Sequence, residues 1–161
     1  MKGRLLIFIS LMLASCRGAD RSIEESSSAY ARYFEILDNP VRVVVMSPYD
    51  AAADTLMIDR PLDNLICMSS SHVAALSAIG ADSVITAVSG IRYISDPAIL
   101  QRWRETESGM EGNPLYDIGY EADLDYERIM KLKPDLLLTY TVSGAEPQYI
   151  IKLRSLGIPV L

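Results

Sequence analysis

The stretch Asn64-Leu65-Ile66-Cys67-Met68-Ser69-Ser70-Ser71-His72-Val73-Ala74-Ala75-Leu76-Ser77-Ala78-Ile79-Gly80 decides how the rest of the chain is read. Leu65 to Met68 is a short apolar run, suited to a strand buried on both faces. Ser69, Ser70 and Ser71 interrupt it. Ser70 or Ser71 is placed to cap the free N–H groups of a helix that begins near His72. Val73, Leu76 and Ile79 recur at helical spacing, and Gly80 stands where a helix C-terminus favours a left-handed residue. The stretch reads as strand, polar turn, helix. In open α/β sheets such a turn lies at the carboxyl end of a strand, the edge at which ligands bind.

Downstream the same unit recurs. Ser83 to Val88 predicts a second strand, closed by Ser89-Gly90-Ile91-Arg92-Tyr93. Asp96 caps the next helix with Pro97 in its first position, and Ile99, Leu100 and Trp103 give it an apolar side. Glu105 to Pro114 is polar and reads as a loop. Tyr116 to Ile118 predicts a brief third strand, closed by Gly119-Tyr120-Glu121. Asp125 caps a helix with Ile129, Met130 and Leu132 facing inward, and Pro134 stops it. Asp135 to Tyr140 is a fourth strand of buried type. Gly144 to Pro147 is a loop, Tyr149 to Leu156 a helix ended by Gly157, and Ile158 to Leu161 opens another strand. Strands alternating with helices of this length imply an α/β fold, a Rossmann-like parallel sheet with flanking helices and right-handed crossovers.

Upstream, Tyr30, Tyr33, Phe34 and Ile36 set an apolar pattern, Val41 to Met46 has strong β character, and Thr55 to Ile58 follows the turn signal Pro48-Tyr49-Asp50. Residues 30–62 therefore predict an N-terminal β-hairpin or meander. Pro61 and Asp63 mark its boundary with an α/β unit over 63–161. Arg17 to Ser28 is polar and serine-rich, a tether over 16–29. Residues 1–15 have a signal-peptide build: Lys2 and Arg4, then the apolar run Leu5 to Leu13, then Ala14-Ser15. Leu13-Ala14-Ser15-Cys16 resembles the lipobox of bacterial lipoproteins, which implies that Cys16 is lipidated. An ordinary signal peptide with an unmodified cysteine is the alternative.

Loss of Met1 to Ser15 lowers the basic count from 15 to 13 against 21 acidic residues, so the formal charge goes from −6 to −8. An acidic surface repels phosphate backbones and argues against a nucleic-acid partner. It also makes a lipid anchor, rather than a basic patch, the means of membrane attachment. Cys67 is then the one body cysteine of the two in the sequence, so no internal disulfide forms. Its place in an apolar strand suits a buried inert thiol.

With one histidine and one body cysteine, zinc clusters of the Cys/His type are excluded. No Gly-x-Ser-x-Gly elbow, Gly-x-x-x-x-Gly-Lys loop or Gly-x-Gly-x-x-Gly fingerprint occurs. The serines beside His72 suit helix capping better than a catalytic triad. The triple serine also suits an anionic group at the helix N-terminus. Tyr93, Tyr120 and Tyr140 each follow or end a predicted strand at the edge that carries His72. Tyrosine offers an apolar face and a polar tip to a large planar ligand, and Arg92 can pair with a ligand carboxylate. The expected ligand-facing set is Ser70, His72, Arg92, Tyr93, Tyr120 and Tyr140. Glu105 with Glu107 and Glu121 with Asp123 read as solvated surface.

Asp125-Tyr126-Glu127-Arg128-Ile129-Met130-Lys131-Leu132-Lys133-Pro134-Asp135-Leu136-Leu137 resembles the E-x-I-x-x-L-x-P-D-L signature of cluster A, helical-backbone substrate-binding proteins of ABC transporters. Val88 to Ser95, Asp117 to Tyr120 and Leu153 to Val160 fall in the family's order, and Tyr30, Phe34 and Ile36 resemble its Bacteroidetes-type branch. The resemblance implies two α/β lobes joined by a long helix, with a ferric siderophore, haem or cobalamin held between them. It implies a non-enzymatic lipoprotein of the cell envelope, at the periplasmic face or cell surface. Its partners are a metal chelate as cargo, an ABC permease, and the membrane through its anchor, with no resident cofactor or metal. Residues 63–161 correspond to the N-terminal lobe alone, which implies a fragment, a truncated product or half of a split pair. Many members dock on the permease through a Glu in the first helix; Ala74 stands there here, so docking through this lobe would use another acid. Two alternatives stay open: a small lipid-anchored α/β hydrolase using Ser70 or Ser71 with His72, and an anchored interaction protein without a small ligand.

Overall fold

The computed structural model describes residues 33–38, 41–46, 53–120, 123–142 and 146–161. The signal peptide, Cys16, the tether, Tyr30 and the turn Pro48–Asp50 lie outside the described residues. Phe34–Leu37 (β1), Val41–Met46 (β2) and Ala53–Ile58 (β3) form a three-stranded antiparallel meander, the second of the two expected forms. Ile36 lies opposite Val43, and Val43 opposite Leu56. Because strand side chains alternate, Phe34, Ile36, Val41, Val43, Val45 and Leu56 share one face. No meander side chain whose burial is described is fully buried.

The core belongs to the α/β unit. Its elements are Leu65–Cys67 (β4), Ser70–Ala78 (α1), Ile85–Val88 (β5), Pro97–Glu107 (α2), Tyr116–Asp117 (β6), Tyr126–Leu132 (α3), Leu136–Leu138 (β7) and Gln148–Ser155 (α4). The strands pair in parallel in the order β6-β5-β4-β7, and Val160 bridges Leu137 in parallel at the outer edge of β7. Counted along the α/β unit the four strands run 3-2-1-4, the order of a doubly wound sheet, with the Val160 bridge beyond the fourth. The direction of growth reverses between β4 and β7, where such sheets open a crevice.

Alternation along the strands splits the core in two. Ile66 and Leu137 pack with Ile129 of α3 and with Ile150 and Leu153 of α4. Cys67 and Val88 pack with Val73 of α1, Ile99 of α2, and Ile91 and Ile94. Each fully buried aliphatic side chain contributes about 1.5–3 kcal/mol. Burial also pushes the Cys67 thiol up to about 12, so it is not a nucleophile.

Helix ends correct several expectations. The cap of α1 is Ser69, not Ser70 or Ser71. Its backbone is still extended, and its Oγ accepts from Ser71 N at 3.1 Å, so the helix starts at Ser70. At the other end Gly80 N donates to Ser77 O and Ala81 N to Leu76 O, with Gly80 at φ +72, a Schellman motif. Ile79 lies in that closing turn and is 77% exposed, so it is not a core residue. Met130 is also exposed, since it sits a third of a turn round α3 from the buried Ile129. Helix α2 continues through Glu107, past the expected loop start at Glu105, because no breaker precedes Ser108-Gly109.

Three side chains pin the elements together. Asn64 Nδ2 donates to Leu132 O at 2.6 Å and Lys133 O at 3.3 Å, covering the end of α3, where Lys133 is left-handed at φ 48. Asp135 accepts from the backbone amides of Asp63 and Asn64 at 3.0 Å each and pairs with Arg60. Arg102 donates to Asp82 O at 2.8 Å and Ile85 O at 2.6 Å, tying α2 to the start of β5. Among the described residues no helix is long and apolar enough to cross a membrane.

Candidate functional site

The four parallel strands end at one edge, and every expected site residue lies in a segment that leaves that edge. Ser70 and His72 open α1 after β4. Arg92 and Tyr93 lie in a 3-10 turn, Ile91–Tyr93, after β5. Tyr120 follows β6, and Tyr140 follows β7.

The structure gathers three of them. The Tyr93 and Tyr120 rings sit 5.2 Å apart, tilted by 56°, and the Arg92 guanidinium lies 4.8 Å above the Tyr93 ring. Gly90 makes room for the pair. It is left-handed at φ +68, and a Cβ there would come 2.9 Å from the Tyr93 ring and 3.3 Å from the Tyr120 ring. Asp117 accepts from Gly90 N and Gly119 N at 3.1 Å each and from Ile91 N at 3.3 Å. The buried Ser89 donates from Oγ to Gly119 O at 2.9 Å. Gly90, Ser89 and Asp117 were not in the expected set. Their sequence signal is Ser89-Gly90 directly after a predicted strand and Asp117 two residues before the Gly119 that closes the next.

The other three are placed apart from this stack. His72 is half-buried beside the β4–β7 reversal, with Nδ1 buried and without a hydrogen-bond partner. Burial lowers the ring's pKa, and the Leu138 backbone carbonyl partly opposes that. Tyr140 is exposed at the end of the β7 segment. Ser70 lines a different surface, an open groove of about 500 Å³ between α1 and Ile94–Asp96 that also holds Ala74. Ser70 and Ser71 stand two and one residues before His72 on one helix, and neither spacing makes side chains face each other. The hydrolase arrangement therefore lacks its central contact.

His72 is the only histidine of the sequence, so its titration can be followed alone. An unfolded ring takes up its proton near 6.5 and the folded ring resists it, so this stability is present above about 6.5 and is lost as pH falls below it. The expected result is a urea midpoint that declines on acidification below pH 6.5, with a flatter decline in His72→Gln. Equal slopes in the two proteins would place the acid sensitivity elsewhere.

Chemically, the cluster presents two tilted tyrosine rings with a guanidinium over one of them. It suits a planar or aromatic ligand carrying an anionic group. Among the described residues no three His, Cys, Asp or Glu side chains gather as a metal site.

No protein-family model matches the chain. An uncharacterized lipoprotein of Methanocaldococcus jannaschii is 27% identical over 105 residues, which cover 63% of this chain and 24% of that protein. The petrobactin-binding protein YclQ of Bacillus subtilis superposes with a TM-score of 0.49 at 16% identity, over 74% of this chain and 36% of its own. The periplasmic vitamin B12 binding protein BtuF of Vibrio cholerae gives 0.41 at 23% identity, over 63% of this chain and 34% of its own. The periplasmic heme binding protein HutB of the same organism gives 0.41 at 23% identity, over 60% and 32%. The chain thus spans about a quarter of the curated relative and about a third of these structures.

Proposed function

We propose that this chain supplies one wall of the ligand cleft in a lipid-anchored substrate-binding protein of an ABC importer, and that the ligand is a ferric siderophore, haem or cobalamin. The observation that carries the reading is the Arg92–Tyr93–Tyr120 stack at the carboxyl edge of a 3-2-1-4 parallel sheet. The Pro134-Asp135 signature and its companion motifs, in family order, support it. On this reading Ser70, His72 and Tyr140 flank the stack as further ligand contacts. On this reading the chain is a binding module and not an enzyme, and neither Ser70 nor Ser71 is spaced on α1 to face His72.

The anchor follows from the lipobox-like Leu13 to Cys16, and the relative that carries the name lipoprotein supports it. Residues 1–15 are then the leader, Cys16 the lipidated residue, 16–29 the tether, 30–62 the β extension and 63–161 the N-terminal lobe. The protein sits at the periplasmic face or cell surface and hands its cargo to a permease.

Tyr93 and Tyr140 stand 53% and 44% exposed, so this wall touches a ligand from one side only. Binding is therefore expected to be weak, with a Kd above about 1 μM. Titration with haemin, a ferric siderophore and cobalamin, followed by fluorescence of the single tryptophan, Trp103, checks it. Trp103 packs against the core cluster that holds Ile91 and Ile94, next to the stack. Nanomolar binding would overturn the one-wall reading. Ester turnover abolished by His72→Ala would replace it with a hydrolase.

A further inference from the structure

We infer that Asp117 is a positioning residue, the clamp that brings the two aromatic turns together and so creates the Tyr93–Tyr120 pair. The geometric part of this inference stands alone; its link to ligand binding rests on the function proposed above.

Two turns have to meet for the stack to exist, one leaving β5 and one leaving β6. The Asp117 carboxylate lies between them. Oδ1 accepts from Gly90 N and from Gly119 N, and Oδ2 accepts from Ile91 N. Gly90 and Ile91 open the turn that carries Arg92 and Tyr93, and Gly119 precedes Tyr120 directly. Bonds from amides to an ionised carboxylate are about twice as strong as neutral ones. One side chain thus fixes both turns at once.

The bonds do not serve the sheet. Pairing of β5 with β6 runs through Ala87 with Tyr116 and Val88 with Asp117 on the backbone, and Ile118 N donates to Val88 O. The three amides that reach the carboxylate belong to the turns instead. The 3-10 turn closes on itself through Tyr93 N to Gly90 O at 2.9 Å, so the position of Gly90 sets the position of the Tyr93 ring. Ser89 adds a lateral tie through Gly119 O, but it takes up a carbonyl and cannot replace an acceptor for three amides. Gly90 completes the device, because any Cβ there would strike the Tyr93 ring.

The test uses the full chain with its tyrosines replaced by 3-fluorotyrosine, read by fluorine NMR. Tyr93→Phe and Tyr120→Phe assign the two resonances. In the parent protein each substitution is expected to shift the other ring's signal, because the rings are in contact. In Asp117→Ala that mutual shift is expected to vanish. In Asp117→Asn it is expected to fall without vanishing, because one oxygen still accepts while the new amide opposes Ile91 N–H. A mutual shift that persists unchanged in Asp117→Ala overturns the proposal. Should Asp117→Ala fail to fold, an unchanged mutual shift in Asp117→Asn overturns it equally.

A second measurement separates this inference from the proposed function. Haemin titration is expected to show about tenfold weaker binding in Asp117→Ala. Loss of the mutual shift with unaltered haemin affinity would leave Asp117 as the clamp and remove the stack from the haemin contact. A parent protein that binds none of haemin, a ferric siderophore and cobalamin would count against the proposed function, and the NMR result would still decide the role of Asp117.

Discussion

Gly119→Ala is expected to cost about 2–5 kcal/mol of stability, a large share of the 5–15 kcal/mol typical of a domain. Gly119 has φ +80, and left-handed backbone costs an L-residue about 1–2 kcal/mol. The added methyl would also lie 2.2 Å from Asp123 O and 3.1 Å from Asp123 C. Those are backbone atoms, with no flexible side-chain end to swing away. The segment is held as well: Asp123 N donates to Tyr120 O at 3.0 Å, Asp125 N donates to Ile118 O at 2.9 Å, and Leu124 is buried in the core. Forcing a methyl into fixed surroundings adds about 1–3 kcal/mol. Gly80 provides the comparison, with φ +72 and nothing within 4 Å of the added Cβ. Gly80→Ala therefore carries the backbone term alone. Urea denaturation reads both, as a fall in midpoint at constant slope. Equal losses in the two variants would show that the contact with Asp123 relaxes freely.

Asp135→Ala is the second large effect, about 3 kcal/mol. The Asp135 side chain is 6% exposed, and it receives two backbone amides from the start of β4. Bonds to a charged acceptor contribute about 1.5–3 kcal/mol each, and removing the acceptor leaves its donors unsatisfied. The Arg60 side chain is 65% exposed, so the ion pair itself adds under about 1 kcal/mol. The expected order of destabilisation is Asp135→Ala, then Asp135→Asn, then Arg60→Ala. Asparagine retains an acceptor oxygen. If Arg60→Ala matched Asp135→Ala, the ion pair rather than the amide bonds would dominate.

This second case also shows where reading the sequence stops. Asp135 is legible as the first residue of a buried strand, since the apolar run Leu136 to Leu138 follows it. Its partners at 60, 63 and 64 lie more than 70 residues away, and no local pattern signals them. Signals confined to a few residues read well. Asp96-Pro97 starts α2 as expected, and Gly80 and Gly157 close their helices with positive φ. Periodicity read less well in short helices: Ile129 is buried and Leu132 packs against the core as expected, but Met130 is exposed. The strand order was not legible, because each buried run could pair with any other. At the site, alternation of strand and helix was enough to place six residues on one sheet edge. It could not show that the first turn of α1 directs Ser70 to another groove while two later turns bring Tyr93 against Tyr120.

Around the 3-10 turn after β5, Ile91 and Ile94 are 8% and 7% exposed, anchored in the core on either side of the exposed Arg92 and Tyr93. A loop that orders only when its ligand arrives gives up conformational freedom, at about 0.5–1.5 kcal/mol for each side chain immobilised. Here the backbone surrendered that freedom when the core formed. For the ligand proposed above, encounter then involves no wait for the loop to settle. Ligands that rest on this turn are expected to differ in how long they stay rather than in how fast they arrive.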